Sequence, residues 1–280
     1  MFVDGHGSVV HPEAMQFTLW QVLVLAVVQG VTEFLPISSD GHLAVIKPLL
    51  FGGDTAPSSL DLTIALHLGT LGSILVFYWR RILRLLGEDR RVIGLLIVGT
   101  LPLIPLVLAL KVLLGDDFEK ALENPLLAGC MLPASGLALL WSLRQPPGTI
   151  EYRELPWWKS LLIGIAQATA ILPGLSRSGT TIASGIGLGM SRSSAASFSF
   201  LLAIPALAGA GAYKGLSLLK DGEPLSAPAS YLVLGAVVSF VVGLAALRCL
   251  DALLQRGQLH WFGWYCIALG AAVVVWQLAT

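Results

Sequence analysis

Residues 29–42 have the sequence Q-G-V-T-E-F-L-P-I-S-S-D-G-H and lie inside a long apolar part of the chain. This stretch carries a carboxylate at Glu33, two serine hydroxyls, a second acid and an imidazole at His42. Polar and ionisable groups are expensive at membrane depth, so such a cluster predicts a functional site with partners elsewhere in the chain. Pro36 cannot continue helical hydrogen bonding, which predicts a break between two short helices.

The composition is that of a membrane protein. The chain has 280 residues, of which 55% are hydrophobic and 12% charged, whereas soluble domains average about 25% charged residues. Several apolar runs reach the roughly 20 residues that a helix needs to cross a bilayer. These features predict an all-α integral membrane protein. The net charge of zero gives no support to a nucleic-acid partner.

Ten apolar segments fall into two sets of five. In each set the first two segments are short and separated by a Pro/Ser break, and the last three are long enough to span. We therefore predict about six transmembrane helices and two re-entrant helical hairpins, each returning to the side from which it entered. The segments are 17–35, 39–52, 60–79, 91–114 and 125–143, then 157–172, 176–190, 194–214, 229–248 and 261–278.

The two sets carry the same pattern at their breaks. The motif T-x-x-L-P-x-x-S begins at Thr32 and again at Thr169. Three spans per half is an odd number, so the second half would enter the membrane upside down, which is an inverted-topology repeat. We predict a single membrane domain over 17–280, made of two interlocked repeats at about 17–143 and 157–278. Residues before 17 contain no Lys or Arg, and we expect residues 1–16 to form a mobile N-terminal tail rather than a standard signal peptide.

The distribution of basic residues predicts the orientation. One side of this arrangement collects eleven of the 17 Lys and Arg residues and the other side five, and the richer side is cytoplasmic by the positive-inside rule. Both termini then lie outside, and the two hairpins enter from opposite sides, so that their tips can meet. The cytoplasmic set is Arg80, Arg81, Arg84, Arg90, Arg91, Arg144, Arg153, Lys159, Arg192, Arg248 and Arg256.

The first break combines groups suited to acid–base or nucleophilic chemistry. Gln29 and Glu33 are four residues apart and share one helical face. Ser38 and Ser39 follow the proline, with Ser39 as a candidate helix N-cap, and His42 would project toward the same tip. Such a set can supply a base or metal ligand, a nucleophile and a proton donor. The alternative is that the serines and the histidine only satisfy backbone groups at the break.

The second break has the sequence P-G-L-S-R-S-G-T-T over residues 173–181. Arg177 offers a planar donor fork suited to phosphate, and Gly174 would let backbone N–H groups approach a ligand. Three hydroxyls add donors at the start of a helix, where an anion is favoured, namely Ser176, Ser178 and Thr180. The pattern predicts a phosphate cradle. The alternative is that Arg177 only forms a structural ion pair with Glu33.

A further polar group, His67, lies in the third apolar segment. A single histidine on an apolar helix is more often a satisfied packing residue than a functional one. The alternative is that His67 borders the cavity between the two breaks.

The two break sequences together resemble the signature stretches of the undecaprenyl-diphosphate phosphatase family, of the bacitracin-resistance type. The resemblance extends over about residues 16–278, with the same order of segments. It implies a bacterial inner-membrane enzyme that removes the terminal phosphate of undecaprenyl diphosphate. The product, undecaprenyl phosphate, would be the recycled lipid carrier for peptidoglycan synthesis. The resemblance also implies a divalent cation, Mg²⁺ or Ca²⁺, and a site that faces the periplasm or the cell exterior.

Carried over by position, the family's acidic pair falls on Gln29 and Glu33, and both are candidate metal ligands. The first acidic position often holds Glu in the family, and Gln29 is neutral and a weaker ligand, which leaves Glu33 as the one essential acid. The predicted catalytic residues are Glu33, Ser39, His42 and Arg177. The predicted phosphate- and substrate-binding residues are Gln29, Ser38, Gly174, Ser176, Ser178 and Thr180.

A second function stays open at this point. Inverted repeats with broken helices at mid-membrane are also the plan of transporters, so the chain could carry or flip an anionic polyprenyl phosphate lipid. The hydroxyl and imidazole beside Glu33 favour catalysis. The expected partners are a polyprenyl diphosphate lipid and membrane lipids, and the sequence leaves a homodimer open.

Overall fold

The computed structural model describes residues 2–3, 9–10, 17–51, 60–115, 117–221 and 225–279. The N-terminal tail expected over 1–16 lies mostly outside these residues. Within it, the dipeptides Phe2–Val3 and Val9–Val10 pair as a short antiparallel ladder. The remainder of the described chain is helical or forms the connections between helices.

Thirteen α-helices occur in the described residues. The first eight are α1 Leu19–Thr32, α2 Ser39–Phe51, α3 Leu60–Phe77, α4 Trp79–Leu85, α5 Arg90–Thr100, α6 Leu103–Leu114, α7 Asp117–Leu122 and α8 Pro125–Leu143. The other five are α9 Trp157–Thr169, α10 Arg177–Gly187, α11 Arg192–Asp221, α12 Ala229–Gln255 and α13 His260–Ala279. A single 3₁₀ turn at Tyr152–Glu154 precedes α9.

Five helical stretches among the described residues are long and apolar enough to cross a membrane. They are the run Arg90–Leu114 formed by α5 and α6, then α8, the part Arg192–Tyr213 of α11, α12 and α13. The helix pair α3–α4 makes a sixth if it counts as one bent span. The prediction of an all-α membrane protein with about six spans is confirmed.

The Arg-rich residues between the predicted segments 60–79 and 91–114 are partly helical. Residues 79–85 form the short helix α4, bent by 77° from α3. The bend falls at Tyr78, where φ is −100° and ψ is 14°. Arg80 lies over the Trp79 ring at 5.2 Å, and Leu83 is exposed. A helix with guanidinium groups and exposed apolar side chains suits a membrane interface better than the hydrocarbon core.

The short helices form two hairpins. Helices α1 and α2 have 14 and 13 residues, and α9 and α10 have 13 and 11. At 1.5 Å per residue each is about 20 Å long or less, short of the roughly 30 Å hydrocarbon core. The helices of each pair pack against each other. Each pair is therefore a helical hairpin; that the hairpins are re-entrant stays a prediction.

The two halves pack through exchanged partners. Helix α1 packs on α12 and α9 packs on α5, which are corresponding elements in the two sets, and α3 contacts both α12 and α11. Small residues permit close approach at these crossings. A Cβ on Gly69 would meet the Ala236 carbonyl oxygen at 2.2 Å, and one on Gly164 would meet that of Gly99 at 2.4 Å. In an inverted repeat, each half is expected to pack its first helix on the fourth segment of the other half, as α1 and α9 do here. The inverted repeat itself stays a prediction.

Candidate active site

Glu33 is the centre of the candidate site. It caps the C-terminal end of α1 and is only 7% exposed. Its Oε2 accepts hydrogen bonds from Ser39 Oγ at 2.7 Å and from Gln29 Nε2 at 3.0 Å. Its Oε1 accepts a hydrogen bond from Arg177 Nη2 in a direct ion pair. The structure therefore brings together the acid, hydroxyl and cation that the sequence places on two separate breaks.

The tips of the two hairpins touch through their backbones. A Cβ on Gly41 would lie 3.0 Å from Gly174 Cα. Ser178 Oγ donates a hydrogen bond to the Leu35 carbonyl at 3.4 Å. The hairpins thus converge on one site, as the predicted arrangement requires.

The turn before α2 aims Ser39 at Glu33. Ser38 is not a glycine, yet its φ is positive, at 70°. This conformation is strained for an L-residue. Two hydrogen bonds that involve side chains hold it: the Gly41 N–H donates to Ser38 Oγ at 3.2 Å, and His42 Nδ1 donates to the Ser38 carbonyl at 2.7 Å. Ser39 then begins α2 with its hydroxyl directed at the carboxylate.

Ser135 of α8 anchors the second break. Its Oγ donates to the Gly174 carbonyl at 3.0 Å and accepts from the Ser176 N–H at 2.7 Å. Ser135 lies near the middle of the 19-residue helix α8 and is fully buried. The site therefore lies at mid-length of the spanning helices, the depth at which broken helices of inverted repeats form binding sites.

The hydroxyls of the second break are engaged locally. Ser176 caps α10 by accepting from the Gly179 N–H at 3.0 Å, and its Oγ also lies 3.2 Å from Ser178 Oγ. Thr180 Oγ1 donates to the Ser176 carbonyl at 2.9 Å. These hydroxyls hold the N-terminus of α10 in place, so their direct binding to phosphate stays a prediction. The positive end of the α10 dipole still faces the region of Arg177.

Only glycine fits at position 174, because of its backbone conformation and its close contact with α8. Its φ is 91°, and a Cβ would meet the Ala128 carbonyl oxygen at 2.2 Å. Gly174→Ala is expected to cost about 2–4 kcal/mol of unfolding free energy, because backbone strain and a clash add together. Thermal unfolding of purified protein in detergent checks this. Gly209→Ala on α11 is the matched control, since a Cβ there meets nothing within 4 Å; equal melting temperatures of the two variants would contradict the prediction.

His42 lies beside the Glu33 cluster with different partners. Its Nδ1 bonds the Ser38 carbonyl, and its Nε2 lies 2.8 Å from the Tyr265 hydroxyl on α13. Ser39 Oγ donates to Glu33 and not to His42. In this arrangement the carboxylate, not the imidazole, is the group placed to take the Ser39 proton. The predicted catalytic role of His42 stays a prediction.

Two further polar residues lie beside the site: His67, for which the sequence left this placement open, and Tyr265, which the sequence did not indicate. His67 on α3, expected to be a packing residue, has Nε2 3.9 Å from Glu33 Oε2 and Nδ1 2.8 Å from the Thr63 carbonyl. The alternative that it borders the site is the one the structure supports. Tyr265 follows Trp261 and Trp264, a pattern typical of an interfacial aromatic belt. The residues around Tyr265 therefore do not indicate a contact with His42.

Two buried polar atoms beside Glu33 have no hydrogen-bond partner among the described residues. They are Arg177 Nη1, a donor, and Gln29 Oε1, an acceptor. Nearly all buried polar groups in native proteins are paired, so each unmet atom calls for an explanation. The unmet donor of Arg177 suits an anion, and the unmet acceptor of Gln29 suits a cation.

A divalent cation fits this set of donors. Glu33 Oε2 and Gln29 Oε1 are oxygen ligands of the type that Mg²⁺ and Ca²⁺ prefer. The described residues contain no group of three His, Cys, Asp or Glu side chains placed to hold a metal. Mg²⁺ is commonly held by one or two carboxylates, water and substrate phosphates. Glu33 and Gln29 could therefore hold the ion only together with substrate and water.

The fold and the site together define a class of protein: a multi-pass helical membrane protein whose two broken-helix hairpins join an acid, a hydroxyl and a guanidinium at mid-span. The chain belongs to the family described as bacitracin resistance protein BacA, which matches residues 22–272. The resemblance of the two break sequences is confirmed by this match.

Several relatives match over nearly their whole length. The chain is 46% identical over 260 residues to a protein of Rhodopirellula baltica, covering 93% of this chain and 98% of that protein. It is 39% identical to a protein of Pelotomaculum thermopropionicum, covering 92% and 96%. It is 37% identical to a protein of Mycobacterium ulcerans, covering 91% and 95%. All three are named undecaprenyl-diphosphatase.

Proposed function

We propose that the chain is an undecaprenyl-diphosphatase, which hydrolyses the terminal phosphate of undecaprenyl diphosphate to give undecaprenyl phosphate and inorganic phosphate. The names of its relatives support this reaction. The structural observation that supports this reaction is the buried Nη1 of Arg177, which has no hydrogen-bond partner among the described residues. Arg177 is paired with the Glu33 carboxylate, which also accepts a hydrogen bond from the Ser39 hydroxyl. A donor fork beside an activated hydroxyl is the arrangement that phosphoryl transfer needs.

Arg177 and the N-terminus of α10 bind the terminal phosphate in this proposal. Their positive charge offsets the charge that spreads over the transferred phosphoryl oxygens. Gln29 and Glu33 would hold Mg²⁺ or Ca²⁺, which supplies further charge neutralisation when bound. The polyprenyl chain stays among the apolar helix surfaces or in the surrounding lipid.

Ser39 acts as the nucleophile. Its Oγ attacks the terminal phosphorus, Glu33 accepts its proton, and the bond from that phosphorus to the bridging oxygen breaks to release undecaprenyl phosphate. Water then attacks the phosphoserine, one water proton returns to Ser39 Oγ, and the phosphate departs with the proton from Glu33. Atoms and charge balance as the hydrolysis of one anhydride bond.

The test is phosphate release by purified protein in detergent, given undecaprenyl diphosphate with Mg²⁺ or Ca²⁺. Wild type should release inorganic phosphate, and Glu33→Gln should not, because the amide cannot accept the Ser39 proton. Wild-type protein that binds the lipid and releases no phosphate would overturn the proposal and favour the transporter alternative.

The bacterial inner membrane and a site open to the periplasm or cell exterior are part of the proposal. The supporting arguments are the family and the basic residues concentrated on one side. A homodimer, left open by the sequence, stays a prediction.

Removal of the metal by a chelator is expected to abolish phosphate release.

Gln29→Glu is expected to bind the cation roughly tenfold more tightly, because a second carboxylate replaces a neutral oxygen. Calorimetric titration of Mg²⁺ in the presence of a non-hydrolysable diphosphate lipid measures this without turnover. Asp40, exposed at the start of α2, offers the control Asp40→Asn; equal affinity of Gln29→Glu and wild type would remove Gln29 from the metal site.

A further inference from the structure

The hydroxyl of Tyr265 joins a third element, α13, to the first hairpin. It lies 2.8 Å from His42 Nε2, and the two residues are 223 positions apart in the chain. Their rings are stacked, with centroids 5.7 Å apart and an interplanar angle of 9°. The ring of His42 is thus held by a hydrogen bond at each nitrogen and by an aromatic face.

The partners of His42 determine its tautomer. The Ser38 carbonyl is only an acceptor, so Nδ1 at 2.7 Å from it carries the hydrogen. In the neutral ring Nε2 then has a lone pair and must accept, and the Tyr265 O–H is the donor within reach. The chain of hydrogen bonds therefore has one direction, from the Tyr265 hydroxyl to Nε2 and from Nδ1 to the Ser38 carbonyl.

This chain ends at the strained turn that presents the nucleophile. Ser38 has φ of 70°, and its carbonyl accepts both the His42 Nδ1 hydrogen and, at 3.2 Å, the His42 backbone N–H. Ser39 is the next residue, and its hydroxyl meets Glu33 at 2.7 Å. A strained backbone persists only where its surroundings over-determine it, and the His42 ring is one of the groups that do so.

We propose that Tyr265 is a positioning residue: its hydroxyl fixes the His42 ring, and through it the Ser38 turn that keeps Ser39 against Glu33. This inference rests on the proposed function of Ser39. It adds α13 to an active site to which the two hairpins, α3 and α8 also contribute. Tyr265 touches His42 and not the reacting atoms, so its removal should lower kcat and leave KM nearly unchanged.

Tyr265→Phe keeps the stacked ring and deletes the donor. The expected result is a fall in kcat of about tenfold with KM within about twofold, because the substrate contacts are intact and the nucleophile is less well held. In a His42→Gln background, Tyr265→Phe should cause no further loss, since coupled residues are not additive. Tyr213→Phe is the matched control. It removes a tyrosine hydroxyl on α11 that accepts a hydrogen bond from Lys111 on α6, and it should leave kcat unchanged.

A readout independent of catalysis is the ¹⁵N spectrum of histidine-labelled protein in detergent. The chain has five histidines, and the His42→Gln spectrum assigns the His42 signals. Wild-type His42 should show hydrogen on Nδ1 and an accepting Nε2. In Tyr265→Phe the Nε2 resonance should move to that of a nitrogen accepting no hydrogen bond.

Three results would overturn the inference: unchanged His42 resonances in Tyr265→Phe, an unchanged kcat, or losses that add in the double variant. If wild-type protein released no phosphate, the proposed function would fail, and the ¹⁵N spectra would still decide whether Tyr265 holds His42. Circular dichroism melting of Tyr265→Phe, expected to match that of wild type within a few degrees, excludes global unfolding as the cause of a lower kcat.

Discussion

Replacing Arg177 with alanine is expected to lower phosphate release by about a thousandfold or more, since an arginine that stabilises the transferred phosphoryl group contributes roughly 10³–10⁵ in rate. The guanidinium pairs with Glu33 through Nη2 and leaves Nη1 unmet beside the site. The measurement is kcat for release of inorganic phosphate from undecaprenyl diphosphate at saturating metal ion.

Folding and chemistry must be separated for this variant. Arg177→Ala leaves the buried Glu33 without its cation, and breaking a buried pair costs about 3–5 kcal/mol. Arg177→Lys keeps the charge and loses the planar fork, so it should fold and still lose most activity. Arg153→Ala removes a different pair, with Asp89 at 3.2 Å, and should leave release nearly unchanged. A folded Arg177→Ala protein with near wild-type kcat would contradict the proposed phosphate site.

Ser39→Ala is expected to reduce kcat by about 10³-fold or more with little change in KM, because the alanine variant lacks the attacking oxygen. Rapid quenching with terminally ³²P-labelled substrate should trap a phosphoseryl protein in wild type and none in the variant. Glu33→Gln should also show no trapped species, since the Ser39 proton then has no acceptor.

The size of the loss decides the role of Ser39. A variant that keeps more than about a tenth of wild-type kcat would make Ser39 a phosphate-binding residue, with water as the attacking group. Ser142→Ala is the matched control, because Ser142 is buried and donates only within its own helix, to the Leu139 carbonyl at 2.7 Å. It should leave both kcat and the trapped species unchanged.

Most of the helical plan was predictable from local patterns. The predicted segments 125–143 and 157–172 correspond to α8 and α9 within a few residues. Apolar length and the Pro/Ser breaks are local features, and each acts through the backbone hydrogen bonding of its own segment. The Arg-rich segment after α3 was less predictable, because charge alone does not distinguish a loop from the short helix α4.

The roles of the polar residues were only partly predictable. A hydroxyl can bind a ligand or its own backbone with equal ease, and the fold engages Ser176, Ser178 and Thr180 with neighbouring groups. His67 and Tyr265 stand singly on apolar helices, where their residue type does not identify a partner. Their contacts with Glu33 and His42 depend on how α3 and α13 pack.

The sequence by itself determined that this is a membrane protein with two broken-helix sites, that one break carries an acid, a hydroxyl and an imidazole, and that the other carries the cation. These properties follow from hydrophobic length, proline and residue type, which act over a few residues. Only the tertiary structure decided that Arg177 meets Glu33, that Ser39 donates to that carboxylate, and that Tyr265 holds His42. Hydrogen bonds and ion pairs act over about 3 Å, so the pairing of residues far apart in the chain depends on helix packing.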